Sequence, residues 1–314
     1  MDPAIDPPLL ARFRADLAAI RPEGKLGLAV SGGPDSMALL GLAAASFDGA
    51  VEVATVDHGL RKEAAEECAL VERVCAERSI PCTTLRITVA EGNRQDRARA
   101  ARYAALGRWA GQRGLAAIAT AHHADDQVET LLMRLNRGSG LAGLAGIRAR
   151  AEIEGCPVPV LRPLLGFTKG ELQTVVGCLS LPVVQDPSNR DDRYDRVRIR
   201  QQIAGVDWID CKAFARSAAH LSEAEQTLES LAEELWNAAA VESGQKVEIR
   251  VPSQPDLAAR LIARAVRTLG GTVSKGEAQA FLKTMGTRGN IGGVLIERRS
   301  GRYVCTPEPP RRGG

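Results

Sequence analysis

The 314-residue sequence has seven cysteines, at 68, 75, 82, 156, 178, 211 and 305, but no Cys-x-x-Cys pair. That absence argues against a zinc ribbon, an iron–sulfur site or a dithiol redox site, and leaves free thiols in a reducing cytoplasm as the expectation. Aromatic residues are only 4% of the chain, so base-stacking platforms must be few and any RNA contact would lean on phosphates and shape. No run of about 18 apolar residues occurs, so neither a membrane span nor a membrane partner is expected. The opening MDPAIDPPLLARFRADL lacks the basic start and apolar core of a signal peptide and reads as a short helix after Pro7-Pro8, which leaves a cytoplasmic location as the expectation. G-x-x-x-x-G-K-[ST] is missing, which excludes a Walker loop. The one G-x-G-x-x-G match, GSGLAG at 138–143, follows a helix-like segment rather than a strand and is set aside as a dinucleotide site.

A strong charge of one sign is also lacking, since the net charge is only +3, but the positive residues are clustered. Arg94 to Arg113 holds six arginines against one acid, Asp96, and Arg190 to Arg200 holds five against three aspartates. Clustered arginine is a footprint for phosphate or nucleic acid, with a solvated helix face as the plain alternative.

Apolar runs at 26–30, 51–56, 83–89 and 115–120 alternate with helix-like segments at 36–46, 62–79, 94–113 and 124–137. Near-continuous apolar strands separated by helices predict an α/β fold with a doubly wound parallel sheet, covered on both faces. Ligands in such sheets bind beyond the C-terminal strand ends. The residues just past those ends are SGGPDS (31–36), DHGLR (57–61) and AHHADD (121–126), which hold three of the four histidines. A texture change near 205 divides the chain into a larger domain that carries these three loops (1–205), a helical linker (206–242) and a smaller α+β domain (243–314).

In SGGPDS, Gly32 and Gly33 permit a tight turn and leave backbone N–H groups open to an anion at a helix N-terminus. Pro34 sets the helix start, and the hydroxyls of Ser31 and Ser36 suit phosphate oxygens. Asp35 fits an anion site only if Mg²⁺ lies between carboxylate and phosphate. A glycine turn with an Asp–Ser helix cap is the structural alternative. Asp126 and Glu129 fall three apart on one helix face, a pairing that suits a cationic amine, with an acidic helix start favoured by the dipole as the plain alternative.

SGGPDS resembles the pyrophosphatase loop of synthetases that split ATP into AMP and pyrophosphate. Together with VDHGLR (56–61), TAHHADDQVETLLMRLNRGSGLAGLAGI (120–147), RPLL (162–165) and DPSN (186–189), it resembles tRNA(Ile)-lysidine synthetase over about residues 25–200. The resemblance implies an adenine-nucleotide α-hydrolase-like fold. It implies ATP and Mg²⁺ as cofactors, and L-lysine and an isoleucine tRNA with a CAU anticodon as partners; a homodimer is admitted but not required. ATP would adenylate the 2-oxygen of the wobble cytosine, and the lysine ε-amine would then displace AMP.

On these motifs the ATP site falls on Ser31, Gly32, Gly33, Pro34, Asp35, Ser36, His58 and His123, with Asp35 and Asp126 as metal ligands. Asp35, Asp126 and Arg99 are the expected catalytic residues, Asp126, Glu129 and Arg196 the lysine site, and Arg99, Arg102 and Arg200 the tRNA contacts. Arg99, Arg102 and Tyr103 match the family's E-x-x-A-R-x-x-R-Y, with Gln95 in place of the glutamate; Val197 replaces an asparagine in the segment ending Arg200. A base thiolase with the same ATP chemistry is the nearest rival, weakened by the missing cysteine pair. An ammonia-using amidating synthetase and a non-catalytic tRNA-binding relative are further ones.

Overall fold

The computed structural model describes residues 5–47, 49–59, 63–87, 94–184, 195–284 and 287–308. Arg61, the side chain of Gln95, the DPSN stretch, Arg190, Arg193 and the tail from 309 lie outside the described residues. The chain divides into two compact units, Met1–Ser222 and Glu223–Gly314.

The first unit begins with α1 (Pro7–Ile20), β1 (Leu26–Ala29), α2 (Pro34–Ala44), β2 (Val51–Asp57), α3 (Glu63–Glu77) and β3 (Cys82–Arg86). It continues with α4 (Arg94–Arg113), β4 (Ala117–Ala119), α5 (Ala124–Asn136), α6 (Leu141–Leu144), β5 (Arg150–Ile153), β6 (Cys156–Leu161), α7 (Lys169–Cys178) and α8 (Asp195–Ile203). The sheet order is β3-β2-β1-β4-β6-β5, and every neighbouring pair is parallel except β5 with β6. The chain runs outward from β1 through β2 to β3, then returns to β4 on the other side of β1. The order therefore reverses between β1 and β4, which is where an open α/β sheet leaves a crevice.

Alternating strand residues build a separate core on each face. Leu26, Leu28, Val51, Val53, Ala117 and Ala119 pack with Phe13 and Leu17 of α1, Met37 and Leu40 of α2, Val71 and Val74 of α3 and Leu172 and Val175 of α7. Ala54, Ile118 and Val160 face the other way, onto Tyr103, Leu106, Trp109 and Ala110 of α4. Phe13 and Leu17 are wholly buried, and each such side chain is worth roughly 1.5–3 kcal/mol. Gly27 in β1 is a close-approach position, since a Cβ there would lie 2.7 Å from the Trp109 ring. The indole can lie against the strand only because nothing projects from it.

The β5–β6 hairpin and α7 are elements that apolar patterning does not announce. Pro157 and Pro159 interrupt β6, and a proline cannot donate to a ladder. The structure accommodates them because pairing with β4 begins only at Val160, opposite Ile118, and the register with β5 shifts between Ala151 and Ile153. At α7, Thr168 and Glu171 form a reciprocal capping box, and the Glu171 carboxylate also receives Lys212 at 2.8 Å and Arg12 at 3.0 Å.

α9 (Cys211–Ala239) continues from the first unit into the second. The second unit adds β7 (Ala240–Ser243), β8 (Lys246–Ile249), α10 (Pro255–Thr268), α11 (Lys275–Thr284), β9 (Arg288–Ile291), β10 (Val294–Arg299) and β11 (Arg302–Pro307). Its strands form an antiparallel sheet of order β7-β8-β11-β10-β9. Leu261, Ile262, Ala265 and Val266 of α10 pack on Val247, Ile249, Ile296 and Cys305. Buried Glu225 receives both terminal nitrogens of Arg260, at 2.9 and 2.7 Å, so this inward charge is fully met.

Candidate functional site

The loop after β1 is shaped by its own serines. The Ser36 hydroxyl accepts the Ser31 N–H at 3.1 Å, donates to the Gly33 carbonyl at 3.0 Å and lies 3.2 Å from Ser31 Oγ. Gly32 has φ +84°, a conformation that a side chain would strain. Gly33 differs, for it has ordinary extended dihedrals, and the nearest atom a Cβ there would meet is Ser31 Oγ at 3.7 Å. Packing therefore does not demand glycine at 33. What its missing side chain leaves open is the space over the N-terminus of α2, a ready site for an anion.

The loop after β4 meets this cradle through His123, which is 4% exposed. Its Nε2 lies 3.5 Å from Asp35 Oδ2 and 3.8 Å from Asp126 Oδ2, and its Nδ1 lies 3.3 Å from Asp125 Oδ2. Burial works against charge on this ring, but the Asp125, Asp35 and Asp126 carboxylates outweigh it and raise the pKa to about 10. His123 is thus an imidazolium at neutral pH, set among three carboxylates. Its neighbour His122 behaves in the opposite way. Burial comes first, Asp126 resists, and Arg162, Arg102 and Arg196 add to the depression, holding the ring at about 3 and neutral. Its Nδ1 lies 3.0 Å from Thr120 Oγ1.

Asp126 is the third residue of α5 and its Oδ2 accepts the His123 N–H at 3.1 Å, so the carboxylate also caps the helix. Its other oxygen lies 3.8 Å from Arg200. Burial would raise its pKa, but His123 and Arg196 keep it below the usual carboxylate range. Glu129, one turn on, is 1% exposed and has both oxygens taken. Arg196 Nε lies 2.9 Å from Oε2, while Arg200 donates from Nε to Oε1 at 2.5 Å and from Nη2 to Oε2 at 3.2 Å. Glu129, Arg196 and Arg200 are therefore brought together as one cluster that fastens α8 to α5.

Arg99 and Arg102 of α4 lie over the Tyr103 ring, at 5.0 and 5.2 Å, and form no ion pair among the described residues. Arg102 is near enough to His122, and Arg99 near enough to Arg162, for each to depress its neighbour's pKa. His58 follows β2 on the same sheet edge, half-buried.

Three residues at the site carried no assigned role in the sequence. Asp125 contacts His123 and accepts the Lys169 N–H at 2.9 Å, tying α5 to α7. Arg162, 5% exposed at the end of β6, donates to the Arg148 carbonyl at 2.7 Å. The Gln127 side chain exchanges hydrogen bonds with the Ile147 backbone, at 2.8 and 2.7 Å. An arginine closing an apolar strand, in Arg162-Pro163, was the available signal for the second. GSGLAG forms the turn after α5 and the short α6, pinned by Arg134 to the Gly143 and Gly146 carbonyls.

Among the described residues no group of three or more His, Cys, Asp and Glu side chains is arranged to hold a metal ion. The donors nonetheless fit Mg²⁺. Asp35 Oδ1 is buried without a hydrogen-bond partner, beside an anion-accepting helix end, and Mg²⁺ takes one or two carboxylates together with phosphate oxygens and water.

A family model for the PP-loop domain matches residues 9–206. A tRNA(Ile)-lysidine synthase of Novosphingobium aromaticivorans is 46% identical over 312 residues, covering 96% of this chain and 94% of that protein. The chain belongs to the tRNA(Ile)-lysidine synthase family. A second synthase, of Zymomonas mobilis, is 41% identical over 269 residues, covering 83% of this chain and 82% of the relative. Among solved structures, the U34-tRNA thiolase NcsA from Methanococcus maripaludis, with its [4Fe-4S] cluster, superposes with a TM-score of 0.56 at 17% identity, covering 68% of this chain and 77% of that one. That likeness extends to the fold alone, the PP-loop adenine-nucleotide α-hydrolase-like sheet. No helix among the described residues of this lysidine synthase family member is long and apolar enough to cross a membrane.

Proposed function

We propose that the protein uses ATP to join L-lysine to the 2-carbon of the wobble cytidine of an isoleucine tRNA with a CAU anticodon, giving lysidine, AMP and pyrophosphate. The observation that carries this reading is the meeting of the two loops at His123, which sets a phosphate cradle against a carboxylate pair at the switch point of a lysidine synthase fold.

In the first step the cytosine 2-oxygen takes the α-phosphorus of ATP and pyrophosphate leaves. The Gly32 and Gly33 backbone, with Ser31, Pro34 and Ser36, is assigned to the departing phosphates, whose charge must be held as it develops. His123, whose Nε2 lies between Asp35 and Asp126, faces the same phosphates, and His58 flanks the nucleotide from β2. Mg²⁺, held by Asp35 and Asp126, would neutralise phosphate charge when bound. Arg99 is assigned to the same developing charge, and with Arg102 and Arg200 to the tRNA backbone.

In the second step the ε-amine attacks the cytosine 2-carbon and AMP leaves. An ammonium needs carboxylates to bind and must shed a proton to attack, so Asp126 and Glu129 are assigned to the amine. Both Glu129 oxygens are held by arginines, so lysine binding requires Arg196 or Arg200 to move off it. Arg196 then lies free to take the lysine carboxylate. The chain from 243 onward is assigned to contact the tRNA away from the reacting base.

The test is mass spectrometry of nucleosides from isoleucine tRNA incubated with protein, ATP and lysine. Lysidine in place of the wobble cytidine is expected, and an unmodified cytidine overturns the reading. Asp35→Ala should abolish pyrophosphate release and leave tRNA binding largely intact. Near-normal turnover in that variant would remove Asp35 from the metal site.

A further inference from the structure

Trp208 is the exposed aromatic among the described residues. It is 73% exposed, while Trp109 and Trp236 are buried at 3% and 5%. A protein with so few aromatic rings ordinarily spends each on its core, and an indole in water forfeits the burial that would stabilise the fold.

The position of this indole is set from both sides. It lies in the connector 204–210 between α8 and α9. On the α8 side, four residues before the connector opens, Arg200 grips Glu129 and reaches Asp126. On the α9 side Lys212 is fastened to Glu171, at the same end of α7 where the Lys169 N–H binds Asp125. Asp125 in turn lies against His123. A connector of seven residues whose flanks both fasten beside the crevice is held near its rim. Two short turns fix its course, from the Val206 N–H to the Ile203 carbonyl at 3.1 Å and from the Ile209 N–H to the Val206 carbonyl at 3.3 Å.

The charges around the indole narrow what it meets. Asp210 is spent on the start of α9, accepting the N–H groups of Lys212 and Ala213 at 2.8 and 3.1 Å. Asp207, next to the indole, disfavours phosphate. The ring therefore suits the face of a base rather than the nucleic-acid backbone. A wobble cytidine that enters the crevice must unstack from its neighbours in the loop, and an unstacked base is commonly received on an aromatic face.

We propose that Trp208 is a stacking platform on the rim of the active site for an anticodon-loop base next to the reacting cytidine. This rests on the lysidine-forming function proposed above.

The other two tryptophans are buried, so the accessible emission of the full-length protein reports on Trp208. Adding isoleucine tRNA with a CAU anticodon, or its isolated anticodon stem-loop, should quench that emission and shield it from acrylamide. Trp208→Ala should weaken tRNA affinity by roughly tenfold, with Trp208→Phe keeping most of it and the KM values for ATP and lysine unchanged. If saturating tRNA leaves the indole accessible while wild type makes lysidine, the stacking role is overturned and the function stands. Equal loss in the Ala and Phe variants also overturns stacking. Shielding on concentrating the protein alone would assign the indole to self-association and overturn the proposal. Failure of the wild type to bind tRNA in a filter assay overturns the function, and the platform with it.

Discussion

α4 and α8 both carry dense arginine to the same sheet edge, yet they use it in opposite ways. On α8, Arg196 and Arg200 turn inward and close on buried Glu129. On α4, Arg99 and Arg102 rest on the Tyr103 ring with no carboxylate among the described residues to neutralise them. Composition makes the two clusters look alike; the difference lies in whether a carboxylate waits underneath. An arginine over a ring keeps its hydrogen-bond donors free for phosphate, whereas one closed on Glu129 must release that carboxylate before it can take a ligand. Charge already held by a carboxylate and charge open to a ligand thus lie side by side.

The comparison is most exposed to a stability measurement. Arg196→Met with Arg200→Met leaves a carboxylate that is 1% exposed without a partner, and should cost about 3–5 kcal/mol in urea unfolding. Adding Glu129→Met should recover most of that loss, since a well-packed apolar trio tolerates burial. An unchanged midpoint for the double variant would mean that the α8 arginines are no more structural than those of α4.

The second-largest effect extends the inward class to a second carboxylate. Glu171 receives Lys212, Arg12 and its own helix cap, which overcome the opposing effect of burial and lower its pKa to about 2. A carboxylate with a depressed folded pKa stabilises fully above its unfolded value near 4.5 and loses that contribution as pH falls towards 2. Glu171→Gln should therefore cost about 2 kcal/mol at pH 7 and little at pH 2.5, read from unfolding across that range. An equal cost at both pH values would assign the loss to shape rather than charge.

The smallest effect belongs to the outward class. Arg99→Met with Arg102→Met should leave stability within about 0.5 kcal/mol, weaken tRNA binding by roughly tenfold, and lower the slope of log affinity against log salt by about 2. An unchanged salt slope would return α4 to a plain solvated face.

What was legible in the sequence follows the same divide between local and non-local causes. The parallel strands β1 and β2, the helix α4 and the SGGPDS turn declare themselves through periodicity and glycine, which are local. β6 did not, because Pro157 and Pro159 speak against a strand until its ladder is seen to start at Val160. The site loops were legible as residues past strand ends, and the structure brings SGGPDS and HHADD together at His123. That Glu129 is held by Arg196 and Arg200 was not legible, since 67 and 71 residues separate the partners and only the packing of α8 on α5 joins them. The opposite protonation of His122 and His123 was hidden for the same reason. Adjacent in the chain, they face different neighbours, arginines for one and carboxylates for the other.

The Ser31–Ser36 hydrogen bonds bear on hydrogen exchange. Because the Ser36 hydroxyl holds the Ser31 amide by itself, that amide is protected before any nucleotide arrives. The loop is wound beforehand, like a spring catch already set, so binding need not freeze a floppy segment, and little ordering entropy opposes it. A phosphate entering this loop leaves the exchange rate at Ser31 nearly where it was and slows the glycine amides beside it, so its arrival is written at two backbone positions rather than across a whole segment.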